Sequence, residues 1–119
     1  PTDRFVFLGF PPRKGGKRKA FFEPYAQLPA SLIVMESPQR LADMIGDAIP
    51  VLGDRDAALC LEMTKTFERV WREPLSALAT RLAEPPKGEA VLVIDGIKQT
   101  RERKNKYAEF SKAPERGSA

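Results

Sequence analysis

Two short stretches hold the residues from which chemistry could be built. Between Arg13 and Lys19, five of seven residues are cations: Arg13, Lys14, Lys17, Arg18 and Lys19, with Gly15 and Gly16 among them. A flexible basic loop after a strand and before a helix suits phosphate oxygens, through its charge and the free N–H groups of the helix start. It is not a nucleotide-binding P-loop. That motif needs a glycine where Pro11 stands, and a Ser or Thr for magnesium where Arg18 stands. No aromatic residue interleaves with the cations, so contact with a nucleic-acid backbone is expected rather than stacking on bases.

The second stretch is Glu36-Ser37-Pro38-Gln39-Arg40, directly after an apolar run. Ligands of α/β sheets gather at the carboxyl ends of strands, which makes the place suggestive. The residue types alone favour a plainer account, in which Ser37-Pro38 starts a helix and Glu36 pairs with Arg40. Glu62 and Asp95 also fall near strand ends. Carboxylates that converge can exchange protons, but spacing does not establish that these three converge.

What is missing excludes other chemistries. The chain has no histidine, so no His-metal site and no Ser-His-Asp or Cys-His device can form within it. The single cysteine, Cys60, rules out an intrachain disulfide and a Cys zinc cluster. It lies between Leu59 and Leu61, where packing is expected, and Trp71 is likewise expected to pack. No metal site is expected. No apolar run approaches the ~18 residues of a membrane-spanning helix.

The elements that must position these residues follow from apolar periodicity. Phe5 to Phe10 is continuously apolar and stops at Pro11-Pro12, as a strand covered on both faces would be. Leu32–Met35, Ala57–Leu61 and Ala90–Ile94 read as further strands, and Thr66–Arg72 as a more exposed edge strand. Leu41, Met44, Ile45, Ala48, Ile49 and Leu52 form one helical stripe, with Ser37 and Pro38 at its start and Gly53 at its end. Pro50 is expected to shorten that helix. Leu75, Leu78, Ala79 and Leu82 make a shorter stripe after Pro74. A third helix is expected from about Gly16 to Leu28, kinked or broken at Pro24. The order β-α-β-α-β-β-α-β predicts an α/β domain with a mixed, largely parallel sheet flanked by helices. That domain is expected over residues 1–97, with 98–119 as a basic tail or a linker to a further module.

A length of 119 residues fits one domain with a real core. The net charge of +4 hides segregation: +5 over residues 1–22, −5 over 23–97 and +4 over 98–119. Two basic segments flanking an acidic body suggest a polyanionic partner. The abrupt opening, Pro1-Thr2-Asp3-Arg4 and then a strand, reads as a chain cut from a longer one.

The opening block Pro1 to Phe10, the Pro12-Arg13-Lys14 after it, and Glu36-Ser37-Pro38-Gln39-Arg40 resemble one branch of the tetrapyrrole methylase family. The branch is the ribosomal RNA small subunit methyltransferase I group. Glu62-Met63-Thr64-Lys65, Glu68 to Leu75 and Lys87 to Ile94 extend the resemblance over about residues 1–97. Gln39 stands where the family usually has His, Met63 where it has Leu, and Glu73-Pro74 where it has Gly-Thr.

The resemblance implies the second, C-terminal domain of a cytoplasmic, homodimeric, S-adenosylmethionine-dependent methyltransferase. Its donor would lie in a cleft shared with an N-terminal domain missing from this chain. The implied reaction methylates the ribose 2′-hydroxyl of a cytidine in 16S rRNA. By analogy the donor would be met by Met35 and Glu36, Leu61 and Glu62, and Glu89 and Ala90. With no histidine, the candidates for deprotonating or polarising the hydroxyl are Glu36, Arg40 and Lys65, or a group in the other domain. Arg13, Lys14, Lys17, Arg18 and Lys19 would hold rRNA phosphates. Two rival readings are a tetrapyrrole-precursor methylase on the same fold and a non-catalytic nucleic-acid-binding module. The polycationic loop counts against the first.

Overall fold

The computed structural model describes residues 4–64 and 67–97. In chain order the elements are β1 (Phe5–Gly9), α1 (Gly15–Phe22), a 3₁₀ turn (Glu23–Tyr25), β2 (Ser31–Glu36), α2 (Pro38–Leu52), β3 (Asp56–Thr64), β4 (Phe67–Pro74), α3 (Leu75–Arg81) and β5 (Glu89–Ile94). Every strand and helix expected from periodicity is present. Pro24 ends the first helix as anticipated, handing the chain to the 3₁₀ turn. Pro50 does not shorten α2, which runs on to Leu52. Pro50 lies in the last turn, where little of the helix follows it, and the Gly53 N–H still reaches the Ile49 carbonyl at 2.7 Å to close the end. Gly53 itself takes φ 89°, a conformation that favours glycine.

The five strands form one mixed sheet in the order β1-β2-β5-β3-β4. The α/β class and the mixed sheet are as the sequence predicts, but the sheet is not largely parallel. Only β1 and β2 pair in parallel; β2–β5, β5–β3 and β3–β4 are antiparallel. The reason is instructive. Strands joined through a helix do run the same way, as crossovers require: β1 with β2, β2 with β3, β4 with β5. Two of those crossovers, however, each leap one strand. β5 is inserted between β2 and β3, so co-directional strands are rarely neighbours. The predicted hairpin, β3–β4, forms as expected, with β4 at the edge.

The three helices pack side by side, α2 in the middle, over one face of the sheet. Alternate residues of the central strands point into that layer: Leu32 and Val34, Leu59 and Leu61, Leu92 and Ile94 are all buried. They meet Leu41, Met44, Ile45 and Ala48 of α2 and Leu75 and Leu78 of α3. The other face carries no element among the described residues. β1 is therefore not covered on both faces: Phe5 and Phe7 are 66% and 64% exposed, and Ile33, Met35, Val91 and Val93 are half-buried beside them. No helix among the described residues is long and apolar enough to cross a membrane.

Candidate functional site

Strand order decides which of the singled-out residues meet. Because β5 lies antiparallel between β2 and β3, its first residues stand beside the last residues of both neighbours. Glu36 pairs with Ala90 and Ala90 with Leu61 in one row, and Glu89 pairs with Glu62 in the next. Five of the six residues expected to face a donor therefore line up across one end of the sheet, and Met35 is one step inward, opposite Val91. Asp95 does not join them. It lies at the other end of β5, where its N–H donates to the Asp56 carbonyl at 2.9 Å. Lys65 lies outside the described residues.

A hollow of about 260 Å³ opens at this end, lined by Phe10, Met35, Glu36, Ser37, Arg40 and residues 88–91. A second of about 250 Å³, lined by Cys60, Leu61, Glu62 and Val70 among others, shares Glu89 and Val91 with it. The Glu36 carboxylate is buried at its wall. Its Oε1 accepts from the Ser37 N–H and from Arg40 Nε, each at 3.0 Å. The local ion pair allowed by the spacing is thus formed. Ser37 occupies the N-cap position of α2 without a side-chain cap bond. The Glu36 carboxylate takes Ser37's own N–H, and the buried Ser37 Oγ has no partner among the described residues.

The basic loop leaves the same end through Phe10. Arg13, Lys14, Lys17 and Lys19 are exposed, as phosphate contacts must be. Arg18 is a correction. It is buried, its Nε donating to the Pro12 carbonyl at 2.9 Å and its Nη1 to Asp47 Oδ2 of α2 at 3.1 Å. At helical spacing one side of α1 must face α2, and Arg18 falls on that side. It anchors the first turns of α1, which carry Lys17 and Lys19, to the segment before them, which carries Arg13 and Lys14.

Comparison with known proteins bears on this arrangement. No family model matches the chain. It is 44% identical over 97 residues to "Ribosomal RNA small subunit methyltransferase I" of Mesorhizobium japonicum, covering 79% of this chain and 33% of that protein. The protein of the same name from Streptococcus pyogenes serotype M1 is 41% identical over 92 residues, 76% of this chain and 32% of that one. This chain is a homologue of the ribosomal RNA small subunit methyltransferase I group. Its counterpart in Mycobacterium bovis is 41% identical over 97 residues, 81% of this chain and 34% of that protein. The chain thus spans about a third of the length of the curated relatives it matches. Gln39 is exposed on the first turn of α2.

The structure also shows two residues that the sequence did not single out. Phe10 lines the hollow while 67% exposed. Arg55 is buried at the opposite end of the sheet, donating to the carbonyls of Leu52 (2.7 Å), Asp95 (3.1 Å) and Ala26 (2.7 Å). Burial draws its guanidinium below the ordinary pKa. A larger hollow, about 500 Å³, opens near there among Asp56, Ala58, Arg72, Glu73 and Asp95. It holds none of the residues implied by the resemblance.

Proposed function

We propose that this chain, as the C-terminal domain over residues 1–97, forms one wall of the donor cleft of a cytoplasmic S-adenosylmethionine-dependent methyltransferase. The acceptor is the ribose 2′-hydroxyl of a cytidine in 16S rRNA. An N-terminal domain of the same protein supplies the other wall, and the enzyme works as a homodimer. The observation that carries this reading is the homology, joined to the convergence of Met35, Glu36, Leu61, Glu62, Glu89 and Ala90 at one sheet end beside four exposed cations.

The residues fit such a donor. The hollow is mostly apolar, and its Met35, Ala90 and Val91 side, with Glu89 as a polar partner, would face the donor. At about 260 Å³ it falls short of the ~300–1,000 Å³ of a complete small-molecule pocket, as one wall of a shared cleft should. When bound, the donor supplies an activated methyl group for in-line displacement, so the chain's main task is orientation. Arg40, held by Glu36, directs positive charge toward the acceptor oxygen. Glu36 is the positioning residue for Arg40. Arg13, Lys14, Lys17 and Lys19 hold rRNA phosphates, each contact adding roughly 0.7–0.9 to the log–log salt slope. The open apolar face of the sheet supports a partner surface, whether from the other domain or a second copy.

The deciding experiment measures transfer of labelled methyl to 30S subunits by the full-length protein that contains this chain. Charge reversal at Arg13, Lys14, Lys17 and Lys19 should raise the KM for 30S and flatten its salt dependence while leaving donor affinity unchanged. Unaltered KM and salt slope would make the loop a solvated surface. Transfer to a tetrapyrrole precursor with none to 30S would move the protein to the rival branch.

A further inference from the structure

We propose that Phe10 is a stacking platform for the nucleobase of the RNA nucleotide whose ribose Arg40 meets. This rests on the RNA substrate proposed above and specifies how one nucleotide is taken. The local backbone is built to present Phe10. The β1–β2 register runs Phe7↔Ile33 and then Gly9↔Val34, so two steps of β1 oppose one of β2. Such a bulge re-aims the side chain that follows. Gly9 takes φ 75° there, a conformation that L side chains rarely adopt. The result turns Phe10 out of the strand and against the hollow, where the ring is 67% exposed.

The charged group beside it has donors to spare. Arg40 is 38% exposed and uses only Nε in its pair with Glu36, which leaves its terminal nitrogens for an acceptor. A flat apolar ring beside a fixed guanidinium in one hollow fits a nucleotide, which has a π-face and polar oxygens. The alternative flat ligand is the adenine of the methyl donor. The chain favours the RNA side, because Phe10 is followed within four residues by Arg13 and Lys14, both exposed.

The test uses the full-length protein and two probes, a short cytidine oligoribonucleotide and a fully abasic strand of equal length. Wild type should prefer the base-bearing strand roughly 5- to 150-fold, the effect of one stacked base. Phe10→Ala should erase that preference with no change in salt slope. Phe10→Trp should retain it, and the new indole should be quenched by the cytidine strand and not by the abasic one. Arg13→Glu with Lys14→Glu should weaken both strands alike. The inference is overturned if Phe10→Ala keeps the preference, or if it weakens S-adenosylmethionine binding and leaves RNA untouched. Should wild type bind neither strand, the RNA reading itself falls and this inference falls with it.

Discussion

The two ends of the sheet are each organised by an arginine, and they treat it in opposite ways. At one end Arg55 is buried and donates to three backbone carbonyls from three separate segments. It ties the approach to β2, the end of α2 and the end of β5 into one unit. At the other end Arg40 is partly exposed, makes a single pair with Glu36, and has beside it a buried hydroxyl with no partner. Full satisfaction of buried polar groups closes a fold. Incomplete satisfaction leaves hydrogen-bonding capacity for a ligand. The contrast sets an Arg55 end whose donors are used within the fold against an Arg40 end with donors to spare, as the proposed binding there requires.

The sharpest way to break this contrast is to truncate both arginines. Arg55→Met leaves three carbonyls without their donor, and we expect a loss of about 3 kcal/mol or more in urea unfolding. Arg40→Met should cost less, about 1–3 kcal/mol, because it leaves the buried Glu36 carboxylate with the Ser37 N–H while water reaches the place the half-exposed Arg40 vacates, and it should lower methyl transfer. Equal destabilisation by the two changes would dissolve the distinction.

A smaller effect tests how tightly the Arg55 end is packed. A Cβ at Gly96 would lie 2.7 Å from the Ala30 nitrogen and 2.9 Å from its carbonyl oxygen. Those are backbone atoms that cannot swing aside, so Gly96→Ala should destabilise by about 1–3 kcal/mol. Gly46, on the exposed side of α2, has nothing within 4 Å of such a Cβ. Gly46→Ala should instead stabilise by about 0.5–1 kcal/mol through helix propensity and chain entropy. Thermal melts of the two variants should move in opposite directions.

The smallest effect concerns pH. Asp54, next to Arg55, accepts from the Ser76 hydroxyl at 2.6 Å and the Ser76 N–H at 2.8 Å, and so caps α3 from outside the helix. The Ser76 hydroxyl first, and its N–H second, hold the carboxyl below its ordinary value of 3.8. A depressed folded pKa means that stability is fully present above the unfolded value and is lost as pH falls through the folded one. Wild type should therefore lose a small increment of stability below about pH 4 that Asp54→Asn does not lose. Identical acid limbs for the two proteins in thermal melts would remove Asp54 from the account.

The sequence by itself determined which elements form, in what order, and which way each strand runs, while some ends differ: β3 runs on to Thr64 and α2 passes Pro50 to Leu52. Apolar spacing is a local property: Leu41 to Leu52 can bury one stripe only as a helix, and Ala90 to Ile94 can only be a strand. A helix between two strands also returns the chain to the same direction, so the headings of all five strands were legible. The Arg13–Lys19 cluster and the Glu36–Arg40 pair were legible for the same reason, since their partners lie within a few residues. Only the tertiary structure decided the strand order. Nothing local in β5 says that it enters between β2 and β3, because that choice depends on which apolar faces close together under α2. On it rest the meeting of Glu36, Ala90 and Leu61, the removal of Asp95 to the far end, and the opening of one sheet face. Arg18 and Phe10 show the same limit from opposite sides. A cation was buried because Asp47, 29 positions away, lies against it, and an aromatic ring was exposed because a bulge at Gly9 turned it outward. Both outcomes are set by neighbours that only folding brings near.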